Sequence, residues 1–123
     1  MGLGSMAVLG RSMEMRIKKL SEFPAKEVGG HQGFMARSLV DLPDKDVTVR
    51  LLNVKAGGIG PVPAHSHPDT HLFLVLEGAL ELQIDNELYT VPSGSCIEVP
   101  PGKTHQLRCG GSKEMKVLAI KWT

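Results

Sequence analysis

Between Gly60 and Gly78 the chain reads GPVPAHSHPDTHLFLVLEG, and this stretch holds three of the five histidines, His65, His67 and His71. In an extended segment successive side chains alternate faces, so His65 and His67 point the same way. Their Cα atoms then stand roughly 6.7 Å apart, room for one metal ion between two imidazoles. Pro68, Asp69 and Thr70 read as a turn or bulge, after which His71 opens an apolar run over residues 72–76 that reads as the next strand. A tight bend there swings the third imidazole back toward the first two. A lone histidine is ordinarily a hydrogen-bonded core or surface residue. Three within seven positions, beginning with an i, i+2 pair, point instead to metal ligands, because imidazole suits first-row transition metals.

A second block, residues 94–109, reads GSCIEVPPGKTHQLRC. Pro100, Pro101 and Gly102 make a turn, since neither proline can donate to a strand ladder and Gly102 can take a positive φ. The turn is flanked by residues 97–99 and 105–107, so His105 sits at the mouth of a strand just past a corner. A fourth histidine so placed can join the other three.

The two blocks resemble the paired motifs of the cupin superfamily. The first motif runs glycine, a short gap, His-x-His, three or four residues, glutamate, six residues, glycine; here Gly60, His65, His67, His71 and Gly78 fall on those positions. The second runs glycine, five residues, Pro-x-Gly, two residues, histidine, three residues, asparagine, and Gly94, Pro100, Gly102 and His105 match it. Fifteen residues separate Gly78 from Gly94, the short spacing of small bacterial members. Two positions depart from the pattern: His71 replaces the glutamate, and Cys109 replaces the asparagine. The resemblance implies an all-β jelly roll, a double-stranded β-helix forming one domain, with His65, His67, His71 and His105 holding one divalent ion. Four neutral imidazoles leave that ion its full charge and supply no carboxylate base. Some small cupins carry such an all-histidine set.

The rest of the chain agrees with this expectation. At 123 residues, 41% of them hydrophobic, there is material for one domain with a single core. A net charge of +1 argues against nucleic acid as a partner. No apolar run approaches membrane-spanning length. Two cysteines do not make a disulfide framework, which points to a reducing cytoplasm. Residues 1–12, small and glycine-rich with further possible starts at Met6, Met13 and Met15, read as a leader or expression remnant, leaving residues 13–123 as the domain.

Residues 32–40 and 46–54 read as two strands around a polar loop, with Val47, Val49 and Leu51 on one face and Thr48, Arg50, Leu52 and Val54 on the other. Residues 55–60 read as a glycine-rich connector into the histidines. Residues 79–84 and 87–91 form a hairpin around Asp85-Asn86, and residues 114–122 form a last strand. Many short strands at roughly ten-residue intervals without a convincing long helix argue for a sandwich or barrel. His31, far from the motifs, reads as a surface histidine or one standing behind the ligands. Glu98 reads as solvated and Cys109 as a small buried hydrophobe.

Residues 72–76 are apolar on both faces. If His71, Phe73 and Val75 face the interior, Leu72, Leu74 and Leu76 need another cover, either the amino-terminal segment or a second subunit. A homodimer is the expectation, since so small a domain has few spare elements. In an octahedral ion four protein ligands leave two neighbouring positions open, which favours manganese or iron, with nickel, cobalt, copper and zinc also compatible. The expected function is a dioxygenase-type oxidoreductase acting on a small organic substrate, with Phe73 as a pocket wall. The alternatives are a non-catalytic module for a sugar or acid, or an isomerase, because a fold alone does not select among them.

Overall fold

The computed structural model describes residues 16–123, so the expected leader and the possible starts at Met13 and Met15 lie outside the described residues. After a 3-10 turn (Leu20–Glu22) come nine strands: β1 (Ala25–Glu27), β2 (Gln32–Leu42), β3 (Val47–His65), β4 (Thr70–Glu77), β5 (Ala79–Ile84), β6 (Glu87–Pro92), β7 (Cys96–Val99), β8 (His105–Cys109) and β9 (Met115–Trp122). They pair in the order β6-β5-β8-β3-β9-β4-β7, with β2 on the other edge of β3 and β1 beyond it. All the pairings are antiparallel. This is the jelly roll expected from the motif pattern.

Residues 55–60, expected as a connector, are instead the middle of β3. Residues 47–54 pair with β9, while residues from Ile59 to His65 pair with β8. One strand therefore pairs with β9 along its first part and with β8 along its last. Its glycines bend it rather than end it. Gly57 has φ +77°, and a Cβ on Gly58 would overlap the Val54 side chain and crowd the Lys55 and Gln32 carbonyls. The same correction extends the two expected strands to Leu42 and His65.

Alternation decides which side chains face inward. On β4 His71, Phe73 and Val75 are buried; on β9 so are Met115, Val117 and Ala119, and on β5 Leu80 and Leu82. With Phe34, Leu52, Val54, Val91, Val99 and Leu107 they form one core, each large side chain contributing about 1.5–3 kcal/mol of burial. Asp85 takes φ +52° at the two-residue corner between β5 and β6, the left-handed conformation a tight hairpin needs. Cys109 is in the core, its thiol donating to the Lys113 carbonyl at 3.1 Å.

Leu72 and Leu74 face outward and are half-buried, while Leu76 is exposed. Cross-strand register aligns Leu74 with Leu118 and Leu51, and Leu72 with Ile120 and Val49. The turn at residues 20–22 serves only one end of this face: Arg37, opposite Leu51, donates to the carbonyls of Leu20 and Phe23.

Candidate metal centre

The site is built by two corners that are tied together. β3 ends at His65, the chain bends through Pro68 and Asp69, and β4 resumes with His71 on its inward face. In the other corner Gly102, with φ +79°, donates its N–H to the His67 carbonyl at 2.9 Å. That bond sets the Pro-Pro-Gly turn against the histidine corner. Beside it His65 pairs in register with His105.

The four rings gather at one end of the barrel. Centroids of His67 stand 4.7 Å from His65, 4.4 Å from His71 and 5.1 Å from His105, and His105 stands 4.9 Å from His71. Nε2 of His65 and Nε2 of His67 are 3.0 Å apart, and Nδ1 of His67 is 2.9 Å from Nε2 of His71. His65, His67 and His105 form one group able to hold a metal ion, and His67, Asp69 and His71 form a second that shares His67. His67 is thus the hub, with one nitrogen toward His65 and the other toward His71.

The donor chemistry fits a transition ion. Adjacent ligands about 2.1 Å from an octahedral centre stand about 3.0 Å apart, the spacing of the His65 and His67 nitrogens. His105 donates its Nδ1–H to the Lys103 carbonyl at 3.1 Å, which fixes the tautomer and leaves Nε2 with its lone pair. Burial, followed by the charges of His67 and His105, holds His71 down at about 3. His67 and His105 are lowered in the same direction, again chiefly by burial. Rings that stay neutral near pH 7 keep their lone pairs free for a metal.

All four histidines, with Phe73, line a single cavity of about 300 Å³. Phe73 therefore stands where a pocket wall was expected. His31 lines it too, contrary to a plain surface role. Its ring packs on Gly60, where there is no room for a Cβ, and its Nδ1–H donates to the Gly29 carbonyl at 2.8 Å. Nε2 is then the acceptor atom of a ring that burial keeps from protonating readily. Glu98 is exposed and Cys109 lies outside the cavity lining.

Asp69 was legible only as a turn residue. Its carboxylate, 11% exposed, lies 3.8 Å from His67 Nδ1 and 3.5 Å from Lys121 Nζ. Lys121 pairs in register with His71 and so faces the same cavity. Its inward parity with Val117 and Ala119 was the available signal, obscured by the loose alternation of β9.

The cupin domain profile matches residues 50–121, more than half of the chain and both histidine corners. The chain is a cupin. Solved cupins include a Cupin 2 conserved barrel domain protein from Salinispora arenicola, 19% identical, covering 92% of this chain and 91% of that one at a TM-score of 0.68. The polyketide cyclase RemF from Streptomyces resistomycificus shares 24% identity and a TM-score of 0.76 over 89% of this cupin and 80% of that chain. At these identities the likeness is one of fold. Among curated proteins, quercetin 2,3-dioxygenase of Bacillus subtilis is 46% identical over 55 residues, 43% of this chain but only 16% of that enzyme.

Proposed function

We propose that this cupin is a mononuclear metal-dependent oxidoreductase of dioxygenase type, acting on a small organic substrate. His65, His67, His71 and His105 would hold one divalent transition metal per chain, manganese or iron before the others. The observation that carries the reading is the gathering of four imidazoles around one cavity, and the local likeness to a quercetin 2,3-dioxygenase supports the reaction class. When bound, the ion supplies a Lewis-acid site for oxygen or for an enol or diol. The protein's own residues do the rest. His105 is oriented by the Lys103 carbonyl, Asp69 offsets the charge of Lys121 beside His67, and Phe73 lines the cavity. With no carboxylate among the four ligands, Nε2 of His31 is the proton acceptor on the cavity wall.

Elemental analysis of untreated protein, followed by oxygen uptake with a panel of diketones, catechols and flavonols on manganese- and iron-loaded samples, tests this. Metal at one per chain with oxygen uptake is the expected result. Metal without turnover, together with a metal-dependent thermal shift by sugars or acids, would replace the reading with a non-catalytic binding module.

We also propose a homodimer formed through the outward rows Leu51–Leu118–Leu74 and Val49–Ile120–Leu72, since residues 20–22 cover only one end of them. Cys96, exposed, and Cys109, buried, do not pair, which supports a reducing, cytoplasmic setting. Among the described residues no helix is long and apolar enough to cross a membrane.

A further inference from the structure

Among the described residues Arg50 is the one arginine that lines the histidine cavity. It lies on the inward face of β3 with Thr48, Leu52 and Val54, directly across from Ser38 on β2 and Ala119 on β9. Both neighbours are small, and both belong to the same cavity wall. Burial makes its charged form less favourable than in water, and its charge in turn works against protonation of His31 and His71. It is therefore a half-buried cation on the wall of the cavity that the four histidines line.

Among the described residues nothing neutralises it. Asp69 is engaged with Lys121 and His67. Asp41, on the rim of the same cavity, forms no ion pair with it, and no hydrogen bond joins the guanidinium to a described side chain or carbonyl. A partly desolvated charge without a partner is unfavourable, and a guanidinium is the group whose planar fork matches a carboxylate in two parallel hydrogen bonds. A divalent ion held by the histidines would add further positive charge at the other wall. The chemistry that complements this wall is that of an anion.

We propose that Arg50 is the docking residue for a carboxylate, and that the substrate of this site is a compact organic acid held between Arg50 and the histidine cluster. The proposal rests on the small-molecule reading above and narrows it to one chemical class. A cavity of about 300 Å³ is at the lower end of small-molecule sites, which suits an acid of few carbons. The carboxylate takes the two-pronged contact with the guanidinium, and a second oxygen of the same molecule faces the imidazoles. Thr48 and Ser38 supply hydroxyls beside Arg50 on the same wall.

The test is calorimetric titration of metal-loaded and metal-free protein with pyruvate, malonate and succinate, each set against its uncharged amide. At least one acid should bind the wild type tenfold or more tightly than its amide. Arg50→Gln should abolish that difference and Arg50→Lys should keep part of it, with metal content unchanged in both. Acids that bind no better than amides, or an Arg50→Gln protein that binds them as the wild type does, would overturn the proposal. The acid–amide comparison on wild type stands even if a variant misfolds. Arg50-dependent binding by a protein that takes up no metal would sink the metal-centre reading and leave this one intact. Full metal occupancy without a preference for acids would do the reverse.

Discussion

His31 rests on Gly60 so closely that a Cβ at position 60 would overlap the imidazole ring. This joins the histidine most remote in sequence to the glycine that opens the first motif. Gly60→Ala must push the ring aside or shift β3. Overpacking of this kind costs about 1–3 kcal/mol, and equilibrium urea unfolding should show it. Adding His31→Ala to Gly60→Ala should recover part of the loss, and simple additivity of the two changes would deny the contact.

His67 offers one nitrogen to each neighbour, His65 and His71. His67→Ala should therefore lower metal content more severely than replacement of any other histidine. Cys109→Ala should leave it unchanged, because that thiol is turned into the core. Elemental analysis after dialysis against manganese or iron reads both. Full stoichiometry in His67→Ala would remove it from the ligand set.

Metal-free protein should lose stability as the pH falls from 7.5 to 5. In the folded state His71 titrates at about 3, whereas an unfolded histidine titrates at about 6.5. Between those values the unfolded chain holds more protons, so stability rises with pH across the window and is fully present above about 6.5. His31, His67 and His105 shift in the same direction and steepen the slope. His71→Asn should flatten the dependence of the urea midpoint on pH; an equally steep profile in that variant would assign the effect elsewhere.

Leu74, at the end of the row shared with Leu118 and Leu51, tests the homodimer. Sedimentation velocity should give a dimer for the wild type and a monomer for Leu74→Lys, with metal content preserved. A monomeric wild type would leave this face without the proposed partner.

The strand pattern and the corners were legible because each rests on local chemistry: a short apolar run after a turn on β4, Asp85-Asn86 at a hairpin, Pro100-Pro101-Gly102 at a turn. The long β3 was not, because glycines that end many strands here bend one from β9 to β8, which depends on partners far along the chain. The four histidines were legible from spacing. Asp69 and Lys121 were not, because their pairing depends on the register of β4 with β9. Arg50 had been grouped on the face with Leu52 and Val54, and a charge among core residues was a readable hint. His31 needed the fold itself, since only β3 passing beneath it brings it to the cavity.

The strand order has a consequence for how the molecule is made. β9 is the last of the described strands to leave the ribosome, yet it lies between β3 and β4 and bonds to both. Until it arrives, two long edges face a gap, open to pairing with whatever strand is near. A polypeptide stopped short of Met115 would thus expose the seam of the barrel along its length, and chaperone capture of stalled nascent chains should be strongest just before that point.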